Sequence, residues 1–84
     1  MEKIGERVKA FIMQEFLPGE DPDQLSESMP LISGGILDSL ATLKVVAFLE
    51  ETFGIKVEPY ETDEDNFGTI ADIERLVQEK QSGS

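Results

Sequence analysis

The chain has 84 residues, with 18 Asp plus Glu against 7 Lys plus Arg, and contains neither Cys nor His. At this length it can bury one thin core, and disulfides and the usual Cys/His zinc sites are excluded. The net charge of −11 argues against nucleic-acid and anionic-membrane binding and favours fast encounter with partners that carry basic patches.

Ile4, Val8, Phe11, Ile12 and Phe16 recur at steps of three and four with charged residues between them. That spacing predicts an amphipathic helix of about four turns. Leu17-Pro18-Gly19 should end it, because a residue before proline is pushed out of the α region.

Residues 17 to 38 resist a continuous helix: Pro18, Pro22 and Pro30 interrupt them and Gly34-Gly35 marks a turn. Leu25, Met29, Leu31, Ile32, Ile36 and Leu37 should nevertheless pack the segment down. Long ordered loops of this kind are often functional.

A second helix is expected from Asp38, a good N-cap, to Phe53, with Gly54 as its left-handed C-terminal residue and Ile55 packing back on Leu49. Its apolar residues fall into two stripes. Thr42, Val45, Val46, Leu49 and Phe53 form one. Leu40, Leu43 and Ala47 form the other, interrupted by Lys44 and bordered by Glu50 and Glu51. One stripe is enough for a small core, so the second should meet a partner unless the helix is buried all round.

Beyond Pro59, residues 60 to 66 fit a short helix inside an acidic cluster. Thr69 then caps a last helix, with Asp72 as the weak second half of a capping box and Ile70, Ile73, Leu76 and Val77 as its apolar face. No strand pattern of useful length exists. The expected fold is all-α, a bundle of three main helices and one short third helix, with a long loop between the first and second. Residues 1–80 form one domain, and the final QSGS, residues 81–84, reads as a short mobile tail of the sort cloning can leave behind. No apolar run approaches a transmembrane span and the N-terminus lacks a signal-peptide pattern, so a cytoplasmic protein is expected.

The sequence offers three candidate chemistries. A nucleophilic serine needs a base within reach, usually histidine, and none exists, so no catalytic residues and no enzyme activity are expected. The run DEDNFGTIADIE, residues 63–74, follows a calcium-loop spacing, with Asp63, Asp65, Gly68, Ile70 and Glu74 in place. Phe67 stands where an oxygen ligand belongs, and Thr69 onward reads better as a helix start, so no metal site is expected. Ser39 is left. A hydroxyl in the first turn of a helix is exposed, and the free N–H groups there favour an attached phosphate. A modifying enzyme can load it without the serine being reactive, and Asp38 would cap the helix and guide that enzyme.

The segment LISGGILDSLATLKVVAFLEETFGIKVEP resembles the acyl carrier protein family, in the DSL attachment motif and in the FGI that closes the second helix. The resemblance covers nearly the whole chain. It implies a four-helix bundle and a 4′-phosphopantetheine group on Ser39, added from coenzyme A by a separate phosphopantetheinyl transferase. The arm's own thiol would then carry acyl or aminoacyl groups as thioesters, and a monomeric protein would shuttle them between an acyl-activating ligase or acyltransferase and downstream biosynthetic enzymes. The resemblance also implies a recognition face of Asp38, Leu40, Leu43, Lys44, Ala47, Glu50 and Glu51. Lys44 stands where fatty acid synthase carriers usually have an acidic residue, and ILDSL replaces their usual G-A-D-S-L. Both point toward discrete carriers served by an adenylating ligase, such as D-alanyl carrier proteins, or toward secondary-metabolite carriers. Peptidyl carriers usually have G-G-x-S. The competing reading is a small acidic interaction or calcium-binding module with no covalent modification.

Overall fold

The computed structural model describes residues 4–21 and 25–82. Among them the elements are α1 (Ile4–Phe16), α2 (Ser39–Phe53), a 3-10 turn (Pro59–Glu61), α3 (Glu64–Phe67) and α4 (Ile70–Ser82), with no strand. The expected all-α, four-helix architecture is what forms. α4 runs on through Gln81 and Ser82, which the sequence assigned to the tail; Gly83 and Ser84 lie outside the described residues, as do Met1, Glu2, Lys3 and the loop residues 22–24.

The helices bury the stripes their spacing demands. Val8 and Ile12 of α1, Val45 and Leu49 of α2, and Ile70, Ile73, Leu76 and Val77 of α4 close around Phe67, which is fully buried. Two details of α2 differ from the pattern. Ala41, outside both apolar stripes, is buried, while Val46 and Phe53 are only half-buried. α1 packs close enough that Phe48 stacks on Phe11 with ring centroids 4.3 Å apart, Phe16 and Phe53 meet that pair edge-on, and the Arg7 guanidinium lies over the Phe53 ring. Aromatic area on this flank does what aliphatic branches do elsewhere in the core.

The loop is held by backbone bonds rather than by secondary structure. Leu31 N–H donates to Gly68 C=O at 2.7 Å and Ala71 N–H to Glu27 C=O at 3.1 Å, clasping the loop to the α3–α4 junction. Leu31 C=O in turn accepts from both Ile36 and Leu37. The Gly34-Gly35 turn between them uses φ +82° at Gly35, a conformation that favours glycine. Leu25, Leu31 and Leu37 are thereby buried. Gly68 is required for a different reason: a Cβ there would sit 2.3 Å from Glu64 O.

α4 starts as expected, with Thr69 Oγ1 accepting from Asp72 N–H. The second half of the capping box is absent, because the Asp72 carboxylate pairs with Arg75 at 3.2 Å instead. Glu74, one turn on, accepts from Gly5 N–H and ties the start of α1 to α4. At the other end of α4, Lys80 bonds Glu61 Oε1, which also accepts from Glu58 N–H. The Lys80 bond first, then the Glu58 amide, holds the Glu61 carboxyl below its usual range; the same bond holds Lys80 above the usual lysine range.

Two predictions follow from these contacts. Gly68→Ala should cost about 1–3 kcal/mol, because helix, loop clasp or both must shift, and lower the melting temperature by several degrees. The Glu61–Lys80 contribution has a defined pH window. Glu61 titrates lower folded than unfolded, so its share is present above the ordinary carboxylate range and lost as pH falls through the lowered value. Lys80 titrates higher folded, so its share is present below the ordinary lysine range and lost as pH rises through the raised value. Lys80→Met should therefore melt earlier than the parent at pH 7, and the difference should close in melts run well below pH 4.5.

Candidate functional site

The start of α2 is built by Asp38. Its backbone is extended, at φ −88° and ψ −173°, and its Oδ1 accepts from Ala41 N–H at 2.8 Å. Its carbonyl closes the first turn by accepting from Thr42 N–H at 2.9 Å and from Thr42 Oγ1 at 2.8 Å. One residue thus satisfies the turn from both its side chain and its main chain. Ser39 is the first helical residue. It is exposed, and its hydroxyl makes no hydrogen bond to any described residue. Nothing in the fold uses that oxygen.

Ser39 opens onto a shallow groove of about 510 Å³ lined also by Ile32, Leu37, Thr42, Leu43 and Thr62. Thr62 comes from the far side of the chain, after the 3-10 turn, and its hydroxyl bonds Pro59 C=O. No sequence signal marks Thr62, because its place beside Ser39 depends on how the turn packs.

The expected recognition residues are brought onto one exposed surface, with one exception in kind. Leu40 and Leu43 are 64% and 63% exposed, high for leucine, and Ala47, Lys44 and Glu51 are exposed too. This settles the question of the second stripe of α2: it does not enter the core. Lys44 has no ion pair with any described residue and borders a second groove with Glu15, Phe16, Ile36, Asp38 and Leu40. Glu50 is the exception. It is half-buried, and its Oε2 accepts from the N–H of Val57, a buried residue, at 2.9 Å. Glu50 C=O also accepts from Gly54 N–H at the left-handed cap, where φ is +66°. Glu50 therefore folds the chain back after α2 as well as lending charge to the surface.

The calcium-loop spacing is put to other uses. Asp63 caps α3 by accepting from Asn66 N–H and Asn66 Nδ2, Phe67 is buried, and Glu74 is bonded to Gly5. Among the described residues no cluster of acidic side chains is arranged to hold a metal ion. Among the described residues no helix is long and apolar enough to cross a membrane.

No family model matches the sequence. Individual relatives do. The D-alanyl carrier proteins of Streptococcus pyogenes serotype M5 (strain Manfredo) and serotype M1 are each 39% identical to this chain over 61 residues, which is 70% of this chain and 77% of theirs. The chain belongs to the acyl carrier protein family. A solved chain in a crystal structure described as that of an FAD-dependent dehydrogenase superposes on this carrier with a TM-score of 0.76 at 30% identity, covering 83% of this chain and 97% of that one. Mutual coverage so high makes it a chain of about the same size as this carrier.

The two neighbouring carboxylates of α2 should separate on mutation. Glu50→Ala leaves the Val57 N–H without its partner and should cost about 1–3 kcal/mol. Glu51→Ala should stay within about 0.5 kcal/mol of the parent. Urea midpoints of the two variants check this.

Proposed function

We propose that this carrier protein holds acyl or aminoacyl groups as thioesters on a 4′-phosphopantetheine arm attached to Ser39 Oγ. The observation that carries the reading is the Ser39 hydroxyl: exposed, unused by the fold, and on the first turn of a helix whose cap is supplied by its neighbour. The site fits the group. The first-turn N–H groups of Ser39 and Leu40 face an incoming phosphate favourably, and the adjoining groove can take the start of an arm. In the loading step a transferase would join Ser39 Oγ to the pantetheine-bearing phosphorus of coenzyme A as the pyrophosphate P–O bond breaks. Adenosine 3′,5′-bisphosphate leaves, and the hydroxyl proton passes to a base of that enzyme. The arm supplies the thiol that this cysteine-free chain lacks.

The chain's own residues then do three things. Asp38 fixes the helix start. Leu40, Leu43 and Ala47 offer a small apolar centre. Glu51, Glu50 and the wider acidic surface steer basic partners, with contacts small enough to release. Lys44 interrupts that surface and selects against partners built for a uniformly acidic helix. The carrier is a substrate and shuttle rather than a catalyst, acting in the cytoplasm with a transferase, an activating ligase or acyltransferase, and downstream biosynthetic enzymes. The D-alanyl relatives favour aminoacyl cargo loaded by an adenylating ligase. The similar chain in the flavoprotein structure favours a second setting, in which a flavin enzyme oxidises the carbon chain of the bound thioester.

The test is intact mass after incubation with coenzyme A and a broad-specificity phosphopantetheinyl transferase. The parent should gain one phosphopantetheine, and Ser39→Ala, which keeps the Asp38 cap and should fold normally, should gain none. An unmodified parent beside an active transferase returns Ser39 to an ordinary first-turn serine. Steering is checked separately: Glu51→Lys should slow modification several-fold at low salt and little at high salt, because exposed charges are screened there.

A further inference from the structure

α2 turns Thr42, Val45 and Leu49 into the core, and Thr42 breaks the apolar character of that stripe: among the described residues it is the one buried polar side chain. Burying a hydroxyl is costly unless it is bonded. The Thr42 hydroxyl donates to Asp38 C=O at 2.8 Å, an oxygen that already accepts from Thr42 N–H at 2.9 Å. The helix start is closed without this second bond, because the Thr42 N–H completes the turn and Asp38 Oδ1 takes the Ala41 N–H. We infer that Thr42 is a positioning residue for the modification of Ser39: its hydroxyl fixes the peptide plane from which Ser39 is presented to the loading transferase. The inference rests on Ser39 being the attachment residue.

Asp38 C=O and Ser39 N–H belong to one peptide unit, and that unit is planar. A second donor, reaching the carbonyl oxygen from a side chain, narrows the rocking of the plane about the line through its two Cα atoms. The Ser39 N–H moves with the plane, and it is one of the free first-turn amides that an incoming phosphate meets. Ser39 Cα ends the plane, so the direction in which its side chain leaves the helix is held as well. Threonine hydroxyls often bond the carbonyl four residues back in a helix. Here that carbonyl is the one directly before the serine to be modified.

Burial and branching keep the bond made. In a helix, threonine is confined to few χ1 states, one of which gives this contact, and a side chain shielded from water has no competing partner. Thr42 also lines the groove onto which Ser39 opens, beside Leu37 and Leu43. Ser39 itself is exposed, and its hydroxyl makes no bond to any described residue, so Thr42 supplies order from below that the serine side chain lacks. The order matters because Ser39 Oγ must approach phosphorus in line with the bond that breaks. A misplacement of about 1 Å can cost about 10²-fold in rate.

The experiment follows loading by intact mass in single turnover, with the phosphopantetheinyl transferase in excess over the carrier and coenzyme A saturating. Thr42→Val removes the hydroxyl and keeps the shape. Thr42→Ser keeps the hydroxyl and removes a buried methyl. Thr42→Val should melt within a few degrees of the parent yet load about five- to twentyfold more slowly at saturating transferase. Its half-saturating transferase concentration should stay within about twofold of the parent's, as for an interaction that acts on the reacting geometry and not on binding. Thr42→Ser should melt about 4–8 °C earlier yet load at the parent rate. Lost stability and slowed loading thus fall on different variants. A Thr42→Val protein that loads as fast as the parent, or is slowed only through weaker transferase binding, overturns the positioning role and leaves the carrier reading intact. Equal slowing of Thr42→Ser and Thr42→Val does the same and makes Thr42 a packing residue. A parent that gains no phosphopantetheine overturns the carrier reading and the positioning role together.

Discussion

The hydrogen bond from Leu31 N–H to Gly68 C=O is the contact on which the rest of this structure turns. The described residues between α1 and α2 form isolated turns rather than helix or strand, so their amides are satisfied one at a time. Leu31 does so in both directions: its N–H reaches the α3–α4 junction and its carbonyl gathers Ile36 and Leu37. That places Asp38 at a fixed angle to the core and so aims the first turn of α2. Glycine at 68 lets the end of α3 close on itself there, since a Cβ would meet Glu64 C=O. α3, a helix of one turn, serves mainly to deliver Phe67 to the core and the Gly68 carbonyl to the loop.

The elements set by periodicity were legible in the sequence. α1 and α2 end where the proline, aspartate and glycine signals put them, and the apolar face of α4 is the one its spacing predicts. What local signals could not show was set by tertiary contact. Ala41 is buried although alanine is too small to mark an apolar stripe; it stands one turn before Val45 and two before Leu49 at the edge of the core face. Phe48 finds a partner only because α1 presents Phe11 at the same height. Glu50 looks like one of two equivalent surface acids and is distinguished by a backbone amide seven residues away. Thr62 reaches the groove of Ser39 through a turn whose packing no local pattern encodes.

The excess of negative charge divides into acids that build the fold and acids that remain outside it. Glu61, Asp63, Asp72 and Glu74 cap helices, bond amides or pair with Lys80 and Arg75, so these four acids are structural. Between Lys9 and Lys44 there is no basic residue, and the described acids there, Glu15, Glu20, Asp21, Glu27 and Asp38, are all exposed. A calcium-like spacing arises in the structural group because helix caps and calcium ligands draw on the same short acidic side chains.

Glu50 and Glu51 are neighbours in sequence and carry the same charge, yet they differ mechanically. Glu50 has one oxygen committed to Val57, so its second oxygen is held at a fixed point above the end of α2. Glu51 swings on an unrestrained stem. A cation that meets Glu50 finds its acceptor already in place and pays little conformational entropy to use it; one that meets Glu51 must first immobilise it. The surface at the end of α2 therefore combines a rigid acceptor that sets register with a compliant one that tolerates misalignment.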